Sequence, residues 1–154
     1  MKGTAIMLTF FFSVLFSLTA YAQLPYDVER SIKDTAANEH PGNYSLQNFE
    51  IKRQTKAYND FESWEYEKNM DQRTFDDLKE TVINEHPGNY ALQLFDLKRQ
   101  VAAYHFLQKY DYVDGVPYDV LNDLKYDVAY RHPTNFALQK FELQRQIKAY
   151  LDMH

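Results

Sequence analysis

An internal repeat of 46 residues constrains this chain more than any other feature of its sequence. The segments 38–58, 84–104 and 130–150 align without gaps, and ten of the 21 positions hold the same residue in all three copies. Weaker similarity extends upstream, where the Pro-Tyr-Asp-Val sequence of residues 25–28 recurs at residues 117–120. Such repeats predict an array in which each unit packs against its neighbours.

Each repeat reads as two helices joined by a tight turn. The first segment has about 14 residues, with apolar residues at every fourth position in the first copy: Leu24, Val28, Ile32 and Ala36. A His-Pro pair follows, and proline disfavours helical geometry in the residue before it. The second segment, of about 18 residues, starts at asparagines suited to cap a helix: Asn43, Asn89 and Asn135.

Two local features vary between the copies. Thr74 is predicted to cap the first helix of the middle copy, with Asp77 at the capping-box position. Thr134 in the third turn replaces Gly42 and Gly88, so this turn cannot strictly require a positive φ.

The sequence therefore predicts an all-α fold of three tandem helical hairpins, about six helices, stacked as a short α-solenoid or a compact bundle. The repeats span about 24–61, 70–107 and 116–153, within one domain of residues 23–154. The second helix is apolar on two sides, which predicts that neighbouring helices sandwich it as an inner layer, with the first helices outside. In the first copy, these sides are Tyr44, Ile51, Thr55 and Tyr58, and opposite them Leu46, Phe49 and Ala57.

The first 22 residues have the pattern of a cleaved secretory signal peptide. Lys2 precedes a mostly apolar run over residues 5–18, and Ala20-Tyr21-Ala22 provides small residues before a predicted cut ahead of Gln23. The alternative is an uncleaved anchor, but the run is shorter than the roughly 20 residues that span a bilayer. We therefore expect an exported protein, periplasmic or secreted, with no membrane attachment after cleavage.

The amino-acid composition excludes several kinds of site and partner for the exported chain. It has no cysteine, which excludes disulfides, thiol catalysis and cysteine-based zinc sites. The 17 basic residues are outnumbered by 22 acidic ones, and no basic run occurs. Nucleic acid is therefore not an expected partner, because binding a phosphate backbone requires concentrated positive charge.

Five side chains recur identically in each copy and are the candidate binding residues: His40, Gln47, Arg53, Gln54 and Tyr58; His86, Gln93, Arg99, Gln100 and Tyr104; His132, Gln139, Arg145, Gln146 and Tyr150. They form a polar ladder for a ligand, or else they tie neighbouring hairpins together. The structural interpretation is favoured, because repeats must bond to one another whatever they bind.

The three histidines raise the question of a metal or a catalytic site. No zinc-binding spacing accompanies them, and a histidine that ends a helix is more simply a cap near its carbonyls. Glu39-His40 and Glu85-His86 suggest acid–base chemistry, but the third copy has Arg131 instead of the acid, and no nucleophile accompanies the pair. No metal, cofactor or catalytic residue is predicted.

We expect an exported, non-enzymatic repeat protein that binds another protein or itself through a repeated helix surface. A different hypothesis is a small-molecule or carbohydrate carrier whose groove is lined by Tyr58, Tyr104 and Tyr150. A secreted hydrolase that uses the His-Pro loops ranks last.

Overall fold

The structure is a computed structural model that describes residues 24–64 and 70–154. The predicted signal peptide lies outside the described residues. These residues form six α-helices and contain no strand, which confirms the all-α prediction. The helices are α1 Tyr26–Glu39, α2 Tyr44–Glu62, α3 Gln72–Glu85, α4 Tyr90–Lys109, α5 Tyr118–Arg131 and α6 Phe136–Met153. None of these six helices is long and apolar enough to cross a membrane.

Each His-Pro pair ends one helix, and the asparagine after it caps the next, as the sequence predicts. The side chain of Asn89 accepts a hydrogen bond from the backbone N–H of Leu92, and the same cap occurs in the other two repeats. Gly42 and Gly88 both have φ of +74°, whereas no described residue other than glycine has a positive φ, so the third turn follows a different backbone path.

The prediction for the start of α3 is wrong by three residues. Asp71, not Thr74, is the N-cap, because its carboxylate accepts hydrogen bonds from both the backbone N–H and the hydroxyl of Thr74. These bonds lower the pKa of Asp71, the hydroxyl bond most.

The hairpins stack in an open row. The second helices lie side by side in the order α2, α4, α6, and each first helix packs on the second helix of its own hairpin. Among the described helices, α2 and α6 do not approach each other, and neither do any two first helices. The molecule therefore has two layers, one of first helices and one of second helices.

The apolar core forms two clusters, each made of one hairpin and residues near the end of the preceding second helix. One cluster joins the end of α2, including Phe61, to Phe75 and Leu78 of α3 and to Leu97 of α4. A second cluster lies between α5 and α6, with Leu107 of α4 against it. No single hairpin buries its apolar residues alone, as expected for a repeat array.

The prediction that the second helix is buried on both sides is wrong. Phe49 is 64% exposed and Leu46 is 45% exposed, and Tyr44 at the free edge of α2 is 80% exposed. The first helices cover only one side of the second-helix layer, so the opposite side meets solvent. Leu46 and Phe49 are therefore not core residues, whereas Ala57, predicted on the same side, is buried.

Two leucines of α4 test this assignment. Leu97 is 0% exposed, so Leu97→Ala should lower the free energy of unfolding by about 2–5 kcal/mol through lost burial and a cavity. Leu92 is 42% exposed, and Leu92→Ala should cost less than about 1 kcal/mol. Urea denaturation of both variants measures the difference, and equal losses would contradict the two-layer arrangement.

Candidate functional site

Glutamine side chains hold the two helices of each hairpin together at the turn. Gln47 donates from Nε2 to the carbonyl oxygen of His40 at 2.8 Å, and Gln93 donates to that of His86 at 2.7 Å. Gln139 makes the same bond to His132. The helix-ending carbonyl, which has no helical partner, accepts this bond together with one from the backbone N–H of the capping asparagine. These glutamines therefore serve the turn.

A second set of glutamines joins one repeat to the next. Gln54 donates to Oδ1 of Asn89 at 3.1 Å, and its own oxygen accepts from the backbone N–H of Ala91 at 3.0 Å. Gln100 bonds in the same way to Asn135 and Ala137. Both glutamines are buried. The amide group can both donate and accept, so one side chain binds the capping asparagine and an unpaired N–H of the next helix.

The recurring tyrosines pack at the same junctions. The ring of Tyr58 meets that of Tyr90 edge-on with 5.1 Å between centroids, and Tyr104 meets Phe136 in the same way. Burial raises the pKa of both Tyr58 and Tyr90. Tyr150 instead stacks on His154, close to it in sequence, with 4.3 Å between centroids.

Each recurring histidine lies beside a carboxylate of the following helix. His86 Nε2 bonds to Asp96, whose other oxygen accepts from Arg99 at 2.8 Å. In the first repeat, Glu50 accepts two hydrogen bonds from Arg53, and these bonds hold its pKa below the ordinary value.

The same two clusters have the composition of a cation site. Oxygen and nitrogen ligands of Glu39, His40 and Glu50 lie within 4.8 Å of one another, as do those of the equivalent residues in repeat 2. The buried acid in each is already paired with arginine, and in repeat 3 Arg131 takes the place of the exposed acid and approaches Glu142. These ion pairs connect the turn to the helix. The arginines neutralise the buried carboxylates, as a bound cation would otherwise do.

Side chains identical in all copies also form the exposed side of the second-helix layer, which we call the outer face. It consists of Leu46, Phe49 and Arg53, then Leu92, Phe95 and Arg99, then Leu138, Phe141 and Arg145. The three phenylalanines are 60–64% exposed. The prediction that Leu46 and Phe49 lie in a buried face is wrong. One sequence signal of their exposure was their position on the side of the helix opposite the residues that contact the first helix.

Charge is divided between the two layers. The first helices hold 11 acidic and 6 basic residues, a formal charge of −5, whereas the second helices hold 6 acidic and 9 basic residues, a formal charge of +3. The outer face thus belongs to the layer with a net positive charge, although the whole chain is acidic.

A groove interrupts the outer face between α4 and α6. It has a volume of about 530 Å³, and Arg99, Ala102, Leu138 and Phe141 are among its lining residues. Ala102 occupies the position of Lys56 in α2 and Lys148 in α6, so a small side chain here leaves open a space beside the ladder of phenylalanines.

No protein-family model matches the chain, and comparisons with curated proteins and with solved structures find no match.

Gln100 and Gln146 form a matched pair for testing the junction. Gln100→Ala removes two hydrogen bonds to the next repeat and should cost about 1–3 kcal/mol of stability. Gln146 holds the same position in α6 but makes no hydrogen bond to another described side chain or backbone group, so Gln146→Ala should stay within about 0.5 kcal/mol. Urea unfolding monitored by circular dichroism measures both free energies of unfolding. An equally large loss in Gln146→Ala would argue against the junction role of Gln100.

Acid should weaken the array through Glu50. Because its folded pKa lies below the ordinary 4.5, its stabilisation is fully present above that pH and is lost as pH falls through the folded pKa. Glu50→Gln should therefore be less stable by about 1 kcal/mol at neutral pH and should lose less stability than the wild type on acidification.

The measurement is thermal unfolding between about pH 6 and about pH 3. Asp34→Asn, which removes an exposed ion pair with Arg30, is the control and should follow the wild-type curve. An unchanged acid response in Glu50→Gln would contradict the assignment.

Proposed function

We propose that the protein is an exported, non-enzymatic binding module whose outer face docks another protein. The main support is that leucine, phenylalanine and arginine recur at exposed, equivalent positions of all three second helices. The three phenylalanine rings are 60–64% exposed, and leaving them in solvent has a free-energy cost that burial by a partner would recover.

The residue types of the outer face suit protein recognition. Aromatic residues and arginine are enriched in the energetically dominant parts of protein interfaces. Arg99 is fixed by Asp96 and is still half exposed, so it has N–H groups left to donate to a partner. The neighbouring Phe95 offers a broad apolar surface of low flexibility.

The charge division between the layers indicates what kind of partner fits. A segment with apolar side chains flanked by carboxylates would match an apolar face that carries arginines and lies in the helix layer with a formal charge of +3. The groove beside Phe141 has room for one bulky apolar side chain of that segment. We therefore propose an acidic, amphipathic segment of another protein as the occupant.

The positions of the tyrosines favour this function over a carrier with a tyrosine-lined groove. Tyr58 and Tyr104 are engaged with aromatic rings of the next repeat. The groove between α4 and α6 is lined by leucine, phenylalanine, alanine and polar residues of the described helices, with no tyrosine among them.

Quantitative co-purification from the native compartment tests the proposal. The wild-type chain should retain a partner at near-equal molar amounts, and retention should weaken as salt rises, because exposed charges are screened. The variant Phe49→Ala/Phe95→Ala/Phe141→Ala should lose the partner by about 100-fold or more, as loss of several anchor residues does. Its folding stability should be nearly unchanged, since these rings are exposed.

Two further variants complete the test. Tyr118→Ala/Tyr126→Ala/Tyr130→Ala removes three even more exposed rings, 73–77%, from the first-helix layer and should bind as the wild type does. Ala102→Lys fills the groove with a side chain that α2 already carries at Lys56. This variant should weaken binding without lowering folding stability. Equal losses in the tyrosine and phenylalanine variants, or substrate turnover abolished by one substitution, would overturn the proposal.

A further inference from the structure

The two internal junctions of the array use one set of contacts twice. In each, a glutamine binds the capping asparagine and a backbone N–H of the next helix, and a tyrosine meets an aromatic ring at its start. An alanine of the earlier helix, Ala57 or Ala103, is buried in the same contact.

Repeat 3 presents the first half of this junction on a surface that we call the tail face. It consists of Gln146, Ala149, Tyr150 and Met153, which correspond to Gln100, Ala103, Tyr104 and Leu107. Ala149 is exposed, although its counterparts are buried, and Met153 is 73% exposed. Tyr150 packs against the second apolar cluster of its own chain, whereas no described helix lies on this face as α6 lies on α4.

Repeat 1 presents the second half on a surface that we call the head face, formed by Asn43, Tyr44 and Ser45. The Asn43 side chain caps its own helix through the N–H of Leu46, as Asn89 and Asn135 do, but here no glutamine joins it. The ring of Tyr44 is almost fully exposed, and the N–H of Ser45 makes no hydrogen bond within the described residues.

We infer that the tail face of one copy binds the head face of a second copy, so that the array continues from molecule to molecule. Gln146 then binds Asn43 and the N–H of Ser45, and Tyr150 turns to the ring of Tyr44, as at the internal junctions. The contact joins two different surfaces, so every added copy leaves one head and one tail open, and growth is not self-limiting.

Two residues near the head face differ from their counterparts in the other repeats, and these differences determine the strength of the contact. Glu29 occupies the position of the buried Phe75 and Leu121, and Asn48 occupies that of the buried Leu94. Asn48 is compatible with the contact, because repeat 3 has the polar Lys140 at the same position and still forms a junction with repeat 2. Glu29 pairs with Lys33 on its own helix and removes apolar area from the contact. The junction between copies is therefore weaker than the internal ones, and association is reversible and dependent on concentration.

Sedimentation equilibrium of the purified chain from about 5 µM to about 500 µM measures this association. The weight-average mass should rise by about twofold or more over that range. A tail variant, Gln146→Ala/Ala149→Lys, and a head variant, Tyr44→Ala/Ser45→Lys, should each remain monomeric. All four positions lie outside the apolar core, so both variants should fold, as circular dichroism can verify.

Mixing the two variants gives the decisive result. The tail variant keeps an intact head and the head variant keeps an intact tail, so an equimolar mixture should form a complex of two chains that grows no further. A wild-type mass independent of concentration, or a mixture that stays monomeric, would overturn the inference. A head variant that associates like the wild type would also overturn it, because it would indicate tail-to-tail contact.

This inference does not depend on the proposed function. The triple phenylalanine variant of the outer face should self-associate as the wild type does, because none of its three substitutions lies on the head or the tail face. If a double variant unfolds, the single variant Ser45→Lys or Ala149→Lys should still lower the association constant by at least about twofold. Ser45 and Ala149 hold the positions of Ala91 and Ala103, and a long side chain there would block the close contact that these alanines make inside the array.

Discussion

The asparagine at the start of each second helix is the group on which the architecture depends. A helix begins with N–H groups that lack helical partners, and one side-chain cap can satisfy only part of them. Here Asn89 and Asn135 cap their own helices and also accept from a glutamine of the preceding repeat, whose oxygen satisfies another N–H. A local requirement of helix initiation thus becomes the bond that fixes the position of one repeat on the next.

This arrangement explains why the two helices of a repeat differ so much in their sequence constraints. The second helices touch one another, so their glutamines, tyrosines and alanines must recur at equivalent positions. The first helices pack mainly on their own hairpin partners, and α3 and α5 also meet the end of the preceding second helix, so a few apolar positions are enough to keep them in place. The remaining first-helix surface is free to carry most of the negative charge.

The sequence predicts the hairpins well, because proline, glycine and asparagine act on the local backbone. The bonding role of Gln54 and Gln100 also follows from their recurrence, although their partners become visible only when two repeats are placed together. The fate of Phe49 was not predictable from its apolar character. Whether an apolar side of a helix is covered depends on how many layers the array has, and here the second layer has nothing described above it. The start of α3 was missed for a local reason, since Asp71 and Thr74 can each cap a helix and Asp71 begins it three residues earlier.

The alanine at position 102 has a consequence for how a docked segment is positioned. On a strictly periodic surface, a segment shifted by one repeat would meet the same side chains, and the alternative placements would have nearly equal free energies. The ladder of the outer face has this ambiguity, but the cavity beside Ala102 is found where α4 lacks the lysine of its neighbours. The proposed segment, with one bulky anchor, would therefore settle in a single register, because only one position along the surface would accept that anchor.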